Sequence, residues 1–159
     1  MTETVSREDL PYRPCAGMMV LNEKGQVFVG RRLDMVTEHW QMPQGGIDPG
    51  EDPLKAAFRE LEEEIGTRNV ELIHALDEWL NYDLPESLIG KVWKGKYRGQ
   101  TQKWFLFRYL GQDQDINIKT HHPEFSEWKW AEFSDLPSLI VPFKRDLYET
   151  ILQKFSRFI

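Results

Sequence analysis

The chain has 159 residues, 40% of them hydrophobic and 13% aromatic, with a formal net charge of −6. That length and apolar content suit one domain with a real core, expected to span residues 1–159, and no low-complexity segment argues for disorder. The acidic balance excludes a surface that grips long nucleic acid through phosphate contacts alone, and no apolar run approaches membrane-spanning length. Cys15 is the only cysteine, which leaves no disulfide framework and no cysteine metal site.

In chain order, the polar start "MTETVSREDLP" lacks the basic-then-apolar pattern of a secretory leader, so a cytoplasmic location is expected, with residues 1–11 flexible. "CAGMMVLN" and "QVFVGRR" read as two strands joined by "NEKG", a hairpin. A glycine-rich loop precedes a helix predicted over Pro53–Ile65. "VELIHALDEWLNYDLP" reads as one or two strands ending at Pro85, followed by a loop up to Gly99. "QKWFLFRYL" is apolar throughout and predicts a central strand, and "EWKWAEF" alternates like another. Phe143, Leu147, Ile151 and Phe155 recur every four residues and predict a final helix. Strand groups separated by helices suggest a mixed sheet packed between helices.

The helix over Pro53–Ile65 carries a puzzle. Asp52 suits its N-cap, Pro53 its first position, and Gly66 the left-handed residue that closes it. Leu54, Ala57, Phe58, Leu61 and Ile65 form the core stripe. Glu60, Glu63 and Glu64, spaced i, i+3, i+4, share a different face. Like charges at that spacing cost about 0.2–0.5 kcal/mol per pair, and the helix dipole disfavours anions at its C-terminal end by about 0.3–1 kcal/mol each. Arg59, four residues before Glu63, offsets one of them, and the local sequence offers the others no partner. A bare run of glutamates reads as a solvated acidic face. Beside "GGIDPGE", which can bring backbone oxygen to the same face, a hard divalent cation is the better reading, because carboxylate oxygens are the ligands Mg²⁺ prefers.

Gly45, five residues, Glu51, seven residues, then "REL", any residue, "EE", any residue and Gly66 resembles the Nudix box at every fixed position. Thr67 departs from it where the family usually has an aliphatic residue. The resemblance implies an α/β/α sandwich and Mg²⁺- or Mn²⁺-dependent hydrolysis of a nucleoside diphosphate linked to another group, with more than one ion. It implies Glu60, Glu63 and Glu64 as metal ligands, joined by the Gly45 carbonyl, with Glu51 and Arg59 holding the loop against the helix. Cys15 stands far from the box in the sequence, which argues against the isomerase branch of the fold.

"YRP", "GRR", "WQMPQGG", "GQTQKWF", "PEFSEWKW" and "PFKRDLY" together resemble bacterial RNA pyrophosphohydrolases and the related bacterial and plant dinucleoside polyphosphate hydrolases. That resemblance implies a triphosphorylated RNA 5′ end, or alternatively a dinucleoside polyphosphate, as substrate, and no obligate protein partner is evident. With RNA, the product would be a 5′-monophosphate end and the role promotion of RNA decay. The loop "DMVTE" between Arg32 and His39 looks longer than in some bacterial members.

The residues themselves agree. Lys144 and Arg145 open the last helix, where the dipole disfavours cations but exposed amides favour an anion. Arg13, Arg31, Arg32 and Lys103 can complete a phosphate clamp through planar forks and point charge. Arg31 and Arg32 point to opposite faces of a strand, so one of the two should meet substrate. Trp40 and Phe143 are either core residues or base-stacking platforms. Gln100 and Gln102 supply amides for the nucleotides beyond the first. By resemblance Glu124 is a further metal ligand or the base that deprotonates water. A competing class, a non-catalytic sensor of nucleotides, is disfavoured by the complete set of glutamates.

Overall fold

The computed structural model describes residues 7–34 and 37–159. The first six residues and the centre of the "DMVTE" loop therefore lie outside the described residues.

Six strands form one sheet: β1 (Tyr12–Leu21), β2 (Val27–Arg32), β3 (Gln44–Gly46), β4 (Val70–Asp83), β5 (Gly99–Tyr109) and β6 (Phe125–Ala131). Their order is β4-β5-β1-β2-β6, with β3 paired to β1. β1 and β5 are parallel and the other pairs antiparallel, which makes the sheet mixed. The predicted hairpin is present, closing where Leu21 faces Val27. "QKWFLFRYL" lies in β5, flanked on both sides, as its unbroken apolar run requires.

Three helices complete the frame: α1 (Pro53–Ile65), the single turn α2 (Leu136–Leu139) and α3 (Arg145–Phe155). α1 covers one face with Ala56, Ala57, Leu61 and Ile65 against Met18, Val20 and Phe107. α2 and α3 cover the other, with Leu136, Leu147, Tyr148, Ile151 and Phe155 against Met19, Trp104 and Leu106. The result is an α/β/α sandwich. No helix among the described residues is long and apolar enough to cross a membrane.

The predicted ends of α1 hold. The Asp52 carboxylate accepts from the Lys55 amide at 3.1 Å, and Gly66, at φ 76°, turns its amide back to the Glu62 carbonyl. Three expectations change. α3 starts at Arg145, because Pro142–Lys144 form a 3-10 turn, so Phe143 leaves the core stripe and is 39% exposed. Residues 7–11, expected to be loose, carry a 3-10 turn at Arg7–Asp9, and Arg7 donates to the Leu84 carbonyl at 2.9 Å. Cys15, distant from the box in sequence, pairs directly with Gly46; it is buried, which pushes its thiol up to about 11 and leaves it inert.

Candidate active site

β3 is a three-residue strand that fixes the site. Gly45 pairs with Ala16 and Gly46 with Cys15, while the Met42 amide donates to the Tyr148 hydroxyl of α3 at 2.8 Å. The loop is thereby tied to the sheet and to the far helix layer. On its other side Arg59 reaches from α1, donating to both Glu51 oxygens at 2.8 and 2.9 Å and to the Gly46 carbonyl at 2.9 Å. Side chain and backbone thus lock loop to helix.

A cavity of about 290 Å³ opens at this junction. Glu60 and Glu64 line one wall with Gly45 and Glu124; Arg13, Arg32 and Lys144 bring positive charge, and Tyr82 and Phe143 bring aromatic surface. Glu64 is the unusual group. It is 2% exposed, and its Oε2 is buried without a hydrogen-bond partner. Burial, with Glu60, Glu124 and Glu63 nearby, holds its carboxyl well above the ordinary carboxylate range. Burial likewise raises Glu60, against the Arg59 guanidinium 2.8 Å away, and raises Glu124. A Cβ on Gly45 would overlap the Glu60 carboxyl group, so only glycine lets the backbone come this close to it.

This donor set suits a hard divalent cation: carboxylate oxygens, one of them orphaned, beside a backbone with no side chain in the way. Among the described residues no three acidic or imidazole side chains are already gathered as a ligand set. Arg59 explains this, since it holds Glu60 at 2.8 Å and Glu63 at 3.5 Å. It offsets more of the box than its spacing from Glu63 alone suggested. Glu63 turns away from the cavity toward a larger one, of about 690 Å³, on the outer side of α1 with Arg68, Lys119, His121 and His122. Size does not make that the site, because Glu60, Glu64, Gly45 and Glu124 all line the smaller one.

The cations on the opposite wall are poised differently. Lys144 is 6% exposed, with its ammonium 5.0 Å from the Tyr82 ring centre, and burial lowers it to about 8. Gln100 is buried by a relay in which the Trp104 indole donates to Gln102 at 2.7 Å and the Gln102 amide donates to Gln100 at 2.7 Å and Gln44 at 2.8 Å. Gln100, its side-chain oxygen engaged by Gln102, lines the cavity.

Besides Glu63 and the relay residue Gln102, four expected residues stand outside this cavity. Arg31 pairs with Glu127 at 3.1 Å and lies over Trp40, which also carries the Lys129 ammonium 4.4 Å from its ring centre. As the strand alternation required, only Arg32 of the pair turns inward. Trp40 is therefore a cation-clamped, half-buried residue away from the cavity. Arg145 is exposed and donates to the Pro137 carbonyl at 3.1 Å. Lys103 follows Gln102 on β5 and takes the opposite face. Tyr82 is the residue that motif reading missed. It faces Gln100 across the β4–β5 pair, and its ring lies 6.0 Å from that of Phe143; only the pairing register signals it.

Fold and site together define a Nudix protein. The NUDIX domain model matches residues 11–151, and the chain belongs to that family. Among its relatives, the RNA pyrophosphohydrolase of Rhodospirillum rubrum is 56% identical over 97% of this chain and 93% of its own length. That of Roseobacter denitrificans is 56% identical over 92% and 93%. Among solved structures, the E. coli dihydroneopterin triphosphate pyrophosphohydrolase superposes with a TM-score of 0.69 at 20% identity, covering 91% of this chain and 99% of that one. A C. elegans Ap4A hydrolase in a binary complex gives 0.64 at 23% identity, covering 91% and 96%; likeness at this level speaks for the fold.

Proposed function

We propose that the chain is a metal-dependent pyrophosphohydrolase that converts 5′-triphosphate RNA ends to 5′-monophosphate ends and so promotes RNA decay. The observation that carries this is the cavity, where buried carboxylates with an orphaned oxygen face Arg13, Arg32 and Lys144 across a space bounded by Tyr82 and Phe143. Relatives 56% identical that bear the name RNA pyrophosphohydrolase support it.

Glu60 and Glu64 with the Gly45 carbonyl would hold Mg²⁺ or Mn²⁺, and Glu63 would join them only by leaving Arg59 and turning in from the outer side of α1. Such ions, when bound, neutralise phosphate charge and lower the pKa of water. The protein's own residues do the rest. Arg13 and Arg32 grip phosphate oxygens through planar forks, and Lys144 adds a point charge that a dry site strengthens. Glu124 accepts the proton of the attacking water from the cavity rim, its basicity raised by burial. Phe143 and Tyr82 offer aromatic surface to a base next to the phosphates.

The test is a panel of substrates with purified protein at fixed Mg²⁺ and salt. kcat/KM for a short 5′-triphosphorylated oligoribonucleotide should exceed that for diadenosine tetraphosphate and for ATP. If diadenosine tetraphosphate wins, the chain is a dinucleoside polyphosphate hydrolase; if nothing turns over, it is a nucleotide sensor on this fold.

A further inference from the structure

Two arginines line the carboxylate-lined cavity, and they are held in different ways. Arg32 donates through Nε and Nη2 to the two Asp34 oxygens at 3.0 and 2.6 Å. Arg13 has no carboxylate within ion-pair distance among the described residues. Its guanidinium lies over the Trp93 ring, 5.7 Å from the centre, and beside Gly46, where an added Cβ would come within 2.8 Å of it. A carboxylate would occupy the fork that a phosphate needs and would cancel its charge. An aromatic face attracts the same cation without neutralising it.

The ring is brought there by strained backbone. Trp93 and Lys94 have φ of 50° and 59°, and Gly95 follows at 71°. Glycine adopts that left-handed region freely, whereas a bulky aromatic there is an outlier. Strain of this kind persists only where the surroundings enforce it, and it clusters at ligand sites. Here the loop is pinned at both ends. The Leu84 amide donates to the Arg98 carbonyl at 2.8 Å, the Arg98 amide to the Pro11 carbonyl at 3.0 Å, and the Arg98 guanidinium to Asp83 at 2.7 Å. Within the loop the Gly95 amide closes on the Val92 carbonyl at 2.9 Å, and Tyr97 meets the Trp93 ring edge-on at 6.2 Å. Trp93 also packs against the core covered by α2 and α3, which any bulky apolar residue would do. What only an aromatic supplies is the π face toward Arg13.

We propose that Trp93 is a positioning residue, whose ring holds the Arg13 guanidinium at the cavity with its charge left for phosphate. The proposal rests on the reading that phosphates bind in this cavity. The strained turn serves to aim the ring, and Trp93 acts on the substrate only through the arginine.

Calorimetric titration with β,γ-methylene ATP in Mg²⁺ tests it by binding, independently of turnover. Arg13→Ala should weaken binding about 10-fold or more. Trp93→Leu keeps apolar bulk against the core but has no π face, and should weaken binding about 5-fold. Trp93→Phe should stay within about two-fold of wild type. In an Arg13→Ala background, Trp93→Leu should add less than about two-fold, because its partner is already gone. Undiminished binding by Trp93→Leu, a Trp93→Phe as weak as Trp93→Leu, or losses that multiply in the double variant would each overturn the role. If wild type does not bind, or Arg13→Ala binds like wild type, the phosphate reading falls and the role with it. If Arg13→Ala weakens binding and Trp93→Leu does not, the role alone falls. Failure of the RNA reading shows separately, as intact triphosphate ends in the turnover assay.

Discussion

Two sets of carboxylates flank Arg59, and they live under opposite conditions. Glu51 accepts two hydrogen bonds from Arg59 and one from the Asp48 amide at 3.0 Å, and these hold its carboxyl down at about 2. Glu64, thirteen positions on, is buried with an unpartnered oxygen and other acids beside it, and its carboxyl is pushed up. The first set is satisfied and fixes the loop against the helix. The second keeps one buried oxygen, Glu64 Oε2, unsatisfied, an arrangement that makes sense where a cation and a phosphate chain are to bind. The contrast teaches that satisfaction, more than residue type, separates a structural glutamate from a functional one.

The strongest way to break the contrast is Glu64→Gln. It should lower kcat by about 10³-fold or more, in line with losing a group that stabilises charge in a dry site, while the Gln side chain still accepts from the Gln44 amide. Thermal melts without metal should show a variant at least as stable as wild type. A large loss of metal-free stability would put Glu64 with Glu51, as a structural group.

Arg59→Ala attacks the satisfied set. It strands Glu51 and the Gly46 carbonyl together and should cost about 2–3 kcal/mol in denaturant unfolding. Glu64→Gln should show no such loss, and if both variants melt alike the two sets are one network.

Lys144→Met keeps the apolar stem and removes the buried charge. KM for a triphosphate should rise about 10-fold, more than for a substrate with fewer phosphates. Because burial brings Lys144 to about 8, wild-type KM for the triphosphate should also rise as pH passes 8, and the variant should lose that step. Equal effects on both substrates would remove Lys144 from the phosphate site.

Metal-free stability against pH gives the finest comparison, because the two carboxyls act with opposite signs. Glu51 is lowered from 4.5 to about 2, so its contribution is present above pH 4.5 and lost as pH falls toward 2. Glu64 is raised above 4.5, so its contribution is present below pH 4.5 and lost as pH rises toward its folded value. Glu51→Gln should flatten the acid limb and Glu64→Gln the limb above 4.5. A variant that flattens the other limb would reverse the assignment.

The sequence by itself determined α1 to the residue, because a cap, a proline, an apolar stripe and a closing glycine are all local signals. It placed the strands through their apolar runs, and through the helical period it put Glu60, Glu63 and Glu64 on one face, of which Glu60 and Glu64 line the smaller cavity while Glu63 lines the larger one. It also separated Arg31 from Arg32, since alternation on a strand is local too. Tertiary structure decided what depends on register and on the path of loops. Tyr82 meets Phe143 only because β4 pairs with β5 and the turn at Pro142 delays α3. Lys103 and Trp40 miss the carboxylate-lined cavity because one takes the other face of β5 and the other is held between Arg31 and Lys129. Lys144 is buried, and Glu64 orphaned, by chain far away in sequence. Periodicity reports which way a side chain points along its own element, whereas burial and partnership depend on which other elements arrive there.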